Sequence, residues 1–170
     1  MKDLTAERIV ELLGLEPLPR EGGRFAESYR AGEGTAAAAL PARYGGARRF
    51  STAIYYLLTP DAFSALHRLR SDEVFHFYLG DPVEMFLIFP GGLGEKWLLG
   101  NDLAAGRLPQ RIVPGGVWQG LRLVEGGRFS LLGTTMAPGF AFEDFEAGDR
   151  DSLVRKYPRY AGEIRRFTRG

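Results

Sequence analysis

The sequence predicts an all-β protein, a sandwich or barrel of antiparallel strands with a short helix at each end. Three observations support this prediction. Short segments rich in Phe, Tyr, Val, Ile and Leu recur along most of the 170 residues, and glycine or proline turns separate nearly all of them. Glycine is abundant, with 23 residues, as closely spaced turns require. No helical pattern separates consecutive strand segments, which argues against β-α-β units and a parallel sheet.

The first element is an amphipathic helix. Ile9 and Leu12 recur at helical spacing, Thr5 is placed to cap the helix, and Gly14 is placed to end it. A turn-rich connector, EPLPREGGRF, follows. We therefore expect residues 1–20 to form a helix and a connector that precede the β-structure.

The barrel itself is predicted over residues 22–146. The segments with strand composition are Arg24–Arg30, Phe50–Leu58, Ser64–Leu69, Glu73–Leu79, Val83–Phe89, Lys96–Leu99, Arg111–Val113, Val117–Val124 and Arg128–Met136. Residues 149–170 return to a helical pattern, with Asp151 or Ser152 as the cap and an interruption at YPRY. The chain is short enough for these parts to form a single domain, residues 1–170.

Composition excludes several classes of function. Lys and Arg number 22 against 21 Asp and Glu, so no basic field favours nucleic acid or a membrane surface. Cysteine is absent, which excludes disulfides, iron-sulfur clusters and a thiol nucleophile. No GxSxG motif is present, and only two histidines could serve as a base. The N-terminus lacks the pattern of a secretory signal and no apolar run could span a bilayer, so we expect a cytoplasmic protein without a membrane partner.

Two stretches resemble the paired motifs of the cupin superfamily. In HRLRSDEVFHFYLG, His67 takes the place of the first motif histidine and Glu73 that of the motif glutamate, whereas Leu69 replaces the second histidine. In PGGVWQG, the proline and the second glycine match the second motif, and Gln119 stands where a metal-binding histidine is usual. Half of the ligands typical of the superfamily are therefore replaced.

Longer strings are similar to one group within that superfamily, the uncharacterised group called cupin 5. They are GGRFAESYR, STAIYYLL, LHRLRSDEVFHFYLGDPVEMFLI, LGNDLAAGRLPQRIVPGGVWQG and LLGTTMAPGFAFEDFE, and they span residues 22–146. The resemblance implies a double-stranded β-helix, or jelly roll, with short terminal helices, and a homodimer. It implies no established reaction, and a fold alone does not determine function.

The resemblance places His67 and Glu73 in a pocket, where a histidine beside a carboxylate suits a general acid or base near neutral pH. If a divalent metal is bound, His67, Glu73 and Gln119 would supply one nitrogen and two oxygens. Period-two alternation directs His76 away from Glu73, so we interpret His76 as a hydrogen-bonded residue between sheets or at a dimer contact.

Several further side chains are predicted to contact a small-molecule ligand. A barrel lined with aromatic residues uses most of them as core and only a few for binding, and an arginine could hold a carboxylate or phosphate. The predicted ligand-binding residues are Tyr55, Phe75, Phe77, Trp118, Gln119 and Arg30.

Three interpretations follow. The first is a metal-independent cupin that binds a small polar metabolite, such as a sugar, and isomerises or epimerises it with His67 and Glu73. The second is a metal-dependent oxygenase or isomerase that uses His67, Glu73 and Gln119 as ligands. The third is a ligand-binding or storage-like cupin without catalytic activity.

Overall fold

The first helix begins and ends at the predicted residues. In the computed structural model, which describes residues 4–169, α1 spans Ala6–Leu13. The side chain of Thr5 accepts a hydrogen bond from the backbone N–H of Arg8 at 3.2 Å. Gly14 adopts the left-handed conformation, with φ of 61°, that ends helices without a steric penalty. The predicted cap and terminus are therefore confirmed.

The described residues after α1 form mainly β-strands, and the long ones lie where composition predicts them. In chain order they are β1 Glu16–Pro17, β2 Arg24–Arg30, β3 Gly34–Thr35, β4 Arg48–Arg49, β5 Thr52–Leu58, β6 Ser64–Arg68, β7 Glu73–Gly80, β8 Val83–Ile88, β9 Gly94–Leu99, β10 Gln110–Val113, β11 Trp118–Leu123, β12 Ser130–Met136 and β13 Glu146–Ala147. The nine predicted strands are all present, with ends that differ by one or two residues. The two-residue strands were not predicted, because so short a segment carries no periodicity.

The long strands form two facing antiparallel sheets. The six-stranded sheet has the order β1-β2-β5-β12-β7-β10, and the five-stranded sheet has the order β13-β6-β11-β8-β9. Strands β3 and β4 pair separately beside them. Chain neighbours such as β6 and β7 belong to different sheets, so the chain crosses repeatedly between the two layers. This is the predicted jelly roll.

The space between the sheets is filled by apolar side chains. Alternation along β7 directs Phe75 and Phe77 into this space and His76 to the outer face, as predicted. The buried members of this core cluster are Tyr56, Leu58, Phe75, Phe77, Val83, Met85, Leu87, Leu99, Val113, Val117, Leu121 and Leu132. Apolar packing therefore fills most of the barrel.

Helices at both ends of the chain cover parts of the outer faces. Residues of α1 pack against Leu57 and Leu131 on the six-stranded sheet. At the other end of the chain, α2 spans Arg150–Lys156 and α3 spans Ala161–Arg166. These two helices contribute to a second cluster that covers the five-stranded sheet, composed of Leu66, Phe86, Ile88, Trp118, Leu153, Tyr157, Ile164 and Phe167.

The predicted cap of the C-terminal helix is wrong. Helix α2 is capped by Asp149, whose carboxylate accepts a hydrogen bond from the N–H of Ser152 at 2.9 Å, and not by Asp151 or Ser152. A cap residue must precede the first helical turn, and both predicted residues lie inside it. The predicted interruption is confirmed, because a 3₁₀ turn at Pro158–Tyr160 separates α2 from α3. Among the described residues, no helix has the length and apolar character needed to cross a membrane.

Candidate functional site

Three of the predicted site residues meet inside the barrel. His67 on β6 is the direct cross-strand partner of Gln119 on β11, and Glu73 is the first residue of β7 in the opposite sheet. All three side chains are buried, with exposed fractions of 1%, 1% and 8%. The sheets thus place a histidine, an amide and a carboxylate together in an otherwise apolar interior.

The amide of Gln119 links the other two residues. Its Nε2 donates a hydrogen bond to Glu73 Oε2 at 2.7 Å and lies 3.3 Å from His67 Nε2. The other ring nitrogen, His67 Nδ1, lies 2.8 Å from the backbone oxygen of Ala65. A carbonyl oxygen only accepts hydrogen bonds, so Nδ1 carries the proton and the Nε2 lone pair faces Gln119. The site therefore contains a histidine with its basic nitrogen directed toward the two other polar groups.

A second carboxylate, which the sequence did not indicate, completes the cluster. Glu21 Oε2 lies 3.8 Å from His67 Nε2, and Glu21 Oε1 accepts a hydrogen bond from Ser64 Oγ at 2.8 Å. The backbone oxygen of Glu21 also accepts from the N–H of Ala65 at 2.9 Å. These contacts hold a residue of the N-terminal connector against the strand that carries His67.

The glycines after Glu21 explain how the connector enters the barrel. Gly22 and Gly23 have φ of 101° and 73°, values that side chains other than glycine rarely adopt. The carbonyl of Gly22 accepts a hydrogen bond from the buried Tyr56 hydroxyl at 2.8 Å. The two consecutive glycines were the one feature of the sequence that could have indicated a close backbone approach at this position. A Glu-Gly-Gly turn, however, is ordinarily a solvent-exposed loop.

Burial and the second carboxylate both change the acidity of Glu73. Removal from water and the neighbouring charge of Glu21 raise the pKa of Glu73 from 4.5 to about 7, although His67 and hydrogen bonds from Thr134 and Gln119 act in the opposite direction. Burial, followed by the charge of Glu21, also raises the pKa of Tyr56 well above its ordinary value. At neutral pH, Glu73 therefore exists in both the protonated and ionised forms, as a proton-transfer group requires.

A cavity connects this cluster with the outside. Its volume is about 260 Å³, and both Glu21 and Thr134 belong to its lining. The hydroxyl of Thr134 hydrogen-bonds Glu73, so the cavity contacts Glu21 directly and Glu73 only through Thr134. The apolar part of the lining is contributed by Leu18, Phe25, Ile54, Met136, Phe140 and Phe142. This combination of an apolar wall and a few converging polar groups is typical of small-molecule sites.

The segment before β13 closes the barrel over His67. The ring of Phe145 stacks on the His67 imidazole with centroids 5.2 Å apart and planes 20° from parallel. The adjacent Asp144 is held by a buried bidentate ion pair with Arg48, with both nitrogen-to-oxygen distances at 2.7 Å. The stacked Phe145 ring therefore restricts the orientation of the histidine ring.

A larger groove, about 630 Å³, lies beside this closing segment. It is lined by Arg43, Arg68 and Arg70 but also by acidic side chains, including Glu146, which pairs with Arg68 at 2.8 Å. Leu69, which replaces the second motif histidine, lies in its wall. His67, Glu73 and Gln119 line neither this groove nor the smaller cavity. The smaller cavity is the candidate site because its lining includes Glu21, which lies 3.8 Å from His67.

The predicted ligand-binding residues separate into three groups. Phe75 and Phe77 lie in the barrel core. Arg30 lines the cavity, but Glu27 holds its guanidinium through two hydrogen bonds of 2.8 and 2.5 Å. Gln119 belongs to the polar cluster itself.

For Tyr55 and Trp118 the structure corrects the prediction. Tyr55 packs beside α1 on the outer face of the six-stranded sheet, where it contacts the Tyr78 ring edge-on. Trp118 packs under α2 and α3, and the Arg68 guanidinium lies over its ring. Successive strand residues face opposite sides, so Trp118 must point outward if Gln119 points inward.

The predicted metal ligands do not fit a divalent cation in this arrangement. Gln119 presents the N–H of its amide, not its oxygen, to both Glu73 and His67, and the His67 Nε2 lone pair faces that N–H group. A metal requires lone pairs that converge on one point. Within residues 4–169, no group of three His, Cys, Asp or Glu side chains is arranged to hold a metal ion. We therefore derive no chemistry through a metal.

Comparisons with known proteins agree with this architecture. A family profile described as "Cupin superfamily (DUF985)" matches residues 7–148. An uncharacterised protein of Saccharomyces cerevisiae is 32% identical over 156 residues, which cover 85% of this chain and 77% of that protein. A hypothetical protein from Leishmania major has a TM-score of 0.89 and 31% identity, with 98% of this chain and 100% of that chain covered.

Two further solved structures mark the range of similarity. A protein from Shewanella oneidensis has a TM-score of 0.86 and 34% identity, covering 98% of this chain and 99% of that chain. An oxalate decarboxylase from Bacillus subtilis has a TM-score of 0.54 and 13% identity, covering 90% of this chain and 37% of that chain. At that identity the decarboxylase shares the fold alone.

Proposed function

Since this chain belongs to the cupin superfamily, in the family of unknown function DUF985, we propose that its barrel binds a small polar metabolite and transfers protons within it. The reaction would be an isomerisation or epimerisation that needs no metal. The observation that carries this proposal is the buried cluster of Glu21, His67, Gln119 and Glu73 beside a cavity whose lining includes Glu21. Within this cluster, Glu73 has a pKa of about 7.

The two carboxylates differ in the role that their surroundings favour. Glu73 is buried, and at pH 7 a large fraction of it carries a proton, so it serves as the general acid. Glu21 contacts both the cavity and His67, whose Nε2 has a lone pair, so it serves as the general base. His67 Nε2 lies 3.8 Å from Glu21, so either side chain must move closer before a proton can pass between the two groups.

The proposed reaction balances without an external oxidant or reductant. A carbon–hydrogen bond next to a carbonyl group breaks, its proton moves to Glu21, and its electron pair delocalises onto the carbonyl oxygen. For epimerisation, Glu73 then donates its proton to the opposite face of the same carbon. For isomerisation, Glu73 protonates the carbonyl oxygen to give an enediol, the ionised Glu73 removes the proton of the neighbouring hydroxyl group, and Glu21 returns its proton to the former carbonyl carbon. Such reactions require one group that accepts a proton and a second group that donates one.

The cavity limits the size and chemistry of the substrate. A volume of about 260 Å³ accommodates one small metabolite, such as a single sugar unit or a keto acid, but no polymer. Hydroxyl groups can hydrogen-bond to Glu21 and Thr134, while Phe25 and Ile54 can contact the carbon skeleton. A sugar or a related hydroxycarbonyl compound is therefore the proposed substrate class.

Solvent hydrogen exchange tests this proposal directly. Candidate aldoses, ketoses and keto acids are incubated with the protein in D₂O, and incorporation of deuterium next to the carbonyl is followed by NMR. We expect exchange with at least one compound, and a loss of about 100-fold or more in both Glu73→Gln and Glu21→Gln. The control is Glu11→Gln, a substitution of an exposed residue on α1, which should leave the rate unchanged.

Two outcomes would contradict the proposal. Tight binding of a compound without deuterium incorporation would support a binding protein without catalysis. Near-stoichiometric iron, manganese, nickel or zinc in the purified protein that falls in both His67→Ala and Glu73→Gln would support a metal-dependent enzyme. Plasma mass spectrometry of the three proteins measures this metal content.

A further inference from the structure

A tight turn carries Glu21 into the site. The N–H of Glu21 donates a hydrogen bond to the carbonyl of Pro19 at 2.8 Å, and the N–H of Gly22 donates to the carbonyl of Leu18 at 3.0 Å. Arg20, within this turn, has φ of 67°, a left-handed conformation that residues with side chains adopt only where their surroundings hold it. The turn that delivers Glu21 therefore depends on contacts from elsewhere in the chain.

The side chain of Arg169 supplies such contacts. Its Nη1 donates hydrogen bonds to the carbonyl oxygens of Arg20 at 3.2 Å and of Glu21 at 2.8 Å. Its Nη2 donates to the carbonyl oxygen of Phe63 at 2.9 Å, directly before the strand β6 that carries His67. A guanidinium group presents several donors in one rigid plane, and its charge strengthens each hydrogen bond. Arg169 therefore joins the turn of Glu21 to the start of β6.

The turn has room for this guanidinium because residue 22 is a glycine. A β-carbon at Gly22 would lie 1.9 Å from Arg169 Nη2 and 2.4 Å from the carbonyl oxygen of Phe63, closer than such atoms can approach. The guanidinium also lies over the Phe63 ring, with 4.7 Å between its central carbon and the ring centroid. The missing side chain at residue 22 and the position of the Arg169 guanidinium are therefore complementary.

The backbone before Arg169 is itself anchored. Phe167 is fully buried, and its carbonyl accepts a hydrogen bond from the N–H of Leu66 on β6 at 2.7 Å. The carbonyl of Thr168 accepts a hydrogen bond from Arg150 Nη2 at 2.6 Å. An anchored backbone has already lost most of its conformational entropy, so the side chain that it carries can hold the turn at a fixed place.

We propose that Arg169 is a positioning residue for the proton transfer, because it clamps the turn that places the Glu21 carboxylate beside His67. The catalytic part of this inference rests on the function proposed above, whereas the clamp itself does not. The cavity lining includes Glu21 but not Arg169. Arg169 therefore acts through Glu21 and does not touch the substrate.

Loss of the clamp has a definite consequence for Glu21. Its contacts with Ser64 and Ala65 remain, but they must then outweigh both the hydration of the carboxylate and its repulsion from Glu73. We expect the carboxylate to move outward, toward water. Displacement of a reacting group by about 1 Å can lower a rate about 100-fold.

Deuterium exchange by Arg169→Gln tests this assignment, with Arg165→Gln as the matched control. Both residues are exposed arginines, and each substitution removes one positive charge. For the compound that the parent protein exchanges fastest in D₂O, Arg169→Gln should lower kcat about 10- to 100-fold and change KM less than about threefold. Arg165→Gln should leave both constants unchanged. In the Glu21→Gln protein, Arg169→Gln should cause no further loss, because both substitutions act through one group.

Carbon-13 NMR titration of Glu73 separates a change of position from a change of charge, and it does not depend on turnover. The charge of Glu21 raises the pKa of Glu73, so an outward movement of Glu21 should lower that pKa below about 7 in Arg169→Gln. Removal of the arginine charge by itself would act in the opposite direction. The Glu73 resonance is assigned by its absence in Glu73→Gln.

Three outcomes overturn the assignment. A Glu73 pKa that rises or stays unchanged in Arg169→Gln shows that Glu21 has not moved. An equal loss of kcat in Arg165→Gln shows a general effect of charge, and a further loss in the Glu21→Gln protein shows that Arg169 acts on another group. Circular dichroism spectra that match the parent show that no loss is caused by unfolding.

Failure of the proposed function gives a different result. A parent protein that exchanges no candidate compound contradicts the proposed function and with it the catalytic role of Arg169. A lowered Glu73 pKa in Arg169→Gln would then still confirm the clamp.

Discussion

Replacing Glu73 by glutamine should stabilise the protein at alkaline pH, although it removes a proposed catalytic group. Glu73 has a pKa of about 7 in the folded protein and 4.5 as an ordinary glutamate. Between these values the folded chain retains a proton that the unfolded chain has released. The free energy of unfolding is therefore highest below about pH 4.5, falls as the pH rises through 7, and becomes constant above it.

The size of this effect follows from the two ionisation constants. Each tenfold difference in the acid dissociation constant between the folded and unfolded states corresponds to about 1.4 kcal/mol of stability. The rise of the Glu73 pKa from 4.5 to about 7 thus removes about 3 kcal/mol of stability between acid and alkaline pH. Glutamine cannot ionise, and its carbonyl oxygen can still accept the hydrogen bond from Gln119. Glu73→Gln should therefore be about 3 kcal/mol more stable than the parent at pH 8, and nearly equal to it at pH 4.5.

Urea unfolding between pH 4.5 and 8.5, followed by fluorescence of the two tryptophans, measures this difference. Glu21→Gln removes the second cause of the raised Glu73 pKa, so its decline in stability should be smaller and should end at lower pH. Glu11→Gln, on the exposed side of α1, should follow the parent curve.

The reasoning is refuted if Glu73→Gln declines in stability with pH as steeply as the parent protein. It is equally refuted if the variant is the less stable protein at pH 8. Either result would mean that Glu73 is hydrated, or paired with a positive charge, in solution.

Two further predictions concern the folded framework. Arg48→Ala should lower the free energy of unfolding by about 3 kcal/mol, because the buried Asp144 carboxylate loses its bidentate partner and keeps only Arg70 at 3.7 Å. Arg8→Ala breaks an exposed ion pair on α1 and should cost less than about 1 kcal/mol in the same urea titration. Phe167→Ala should cost about 3–5 kcal/mol, since this ring is fully buried under the five-stranded sheet. Phe142 has an exposed fraction of 63%, so Phe142→Ala should leave the melting temperature within a degree or two of the parent. An equal loss of stability in Phe167→Ala and Phe142→Ala would contradict the assigned core.

The fold was largely predictable because its signals are local. The Thr5 cap and the Gly14 terminus act within a few residues, and turn glycines separate strands whose composition is evident in short windows. The cap of α2 was misplaced because Asp149, Asp151 and Ser152 all have capping side chains within one turn, and only backbone geometry selects among them.

The candidate site was predictable only in part. The similarity to cupin motifs indicated His67, Glu73 and Gln119 together, and the two sheets do bring these residues into contact. The alternation of side chains along a strand showed that Trp118 and Gln119 lie on opposite faces of the sheet, but it did not show which of the two points into the barrel. Tyr55 was misassigned for the same reason, since both faces of β5 carry large apolar side chains that pack in different clusters.

Patterns in the sequence were sufficient to predict the all-β class, the two ends of α1 and the strands, and the family resemblance predicted the pairing of a histidine with a glutamate. Each of these depends on residues close together in the chain or on a pattern that recurs in a family. Contacts between distant segments, in contrast, bring Glu21 into the site and direct the N–H groups of Gln119 to Glu73 and His67. These features arise where segments far apart in the chain meet, and the pKa of a carboxyl group depends on that meeting.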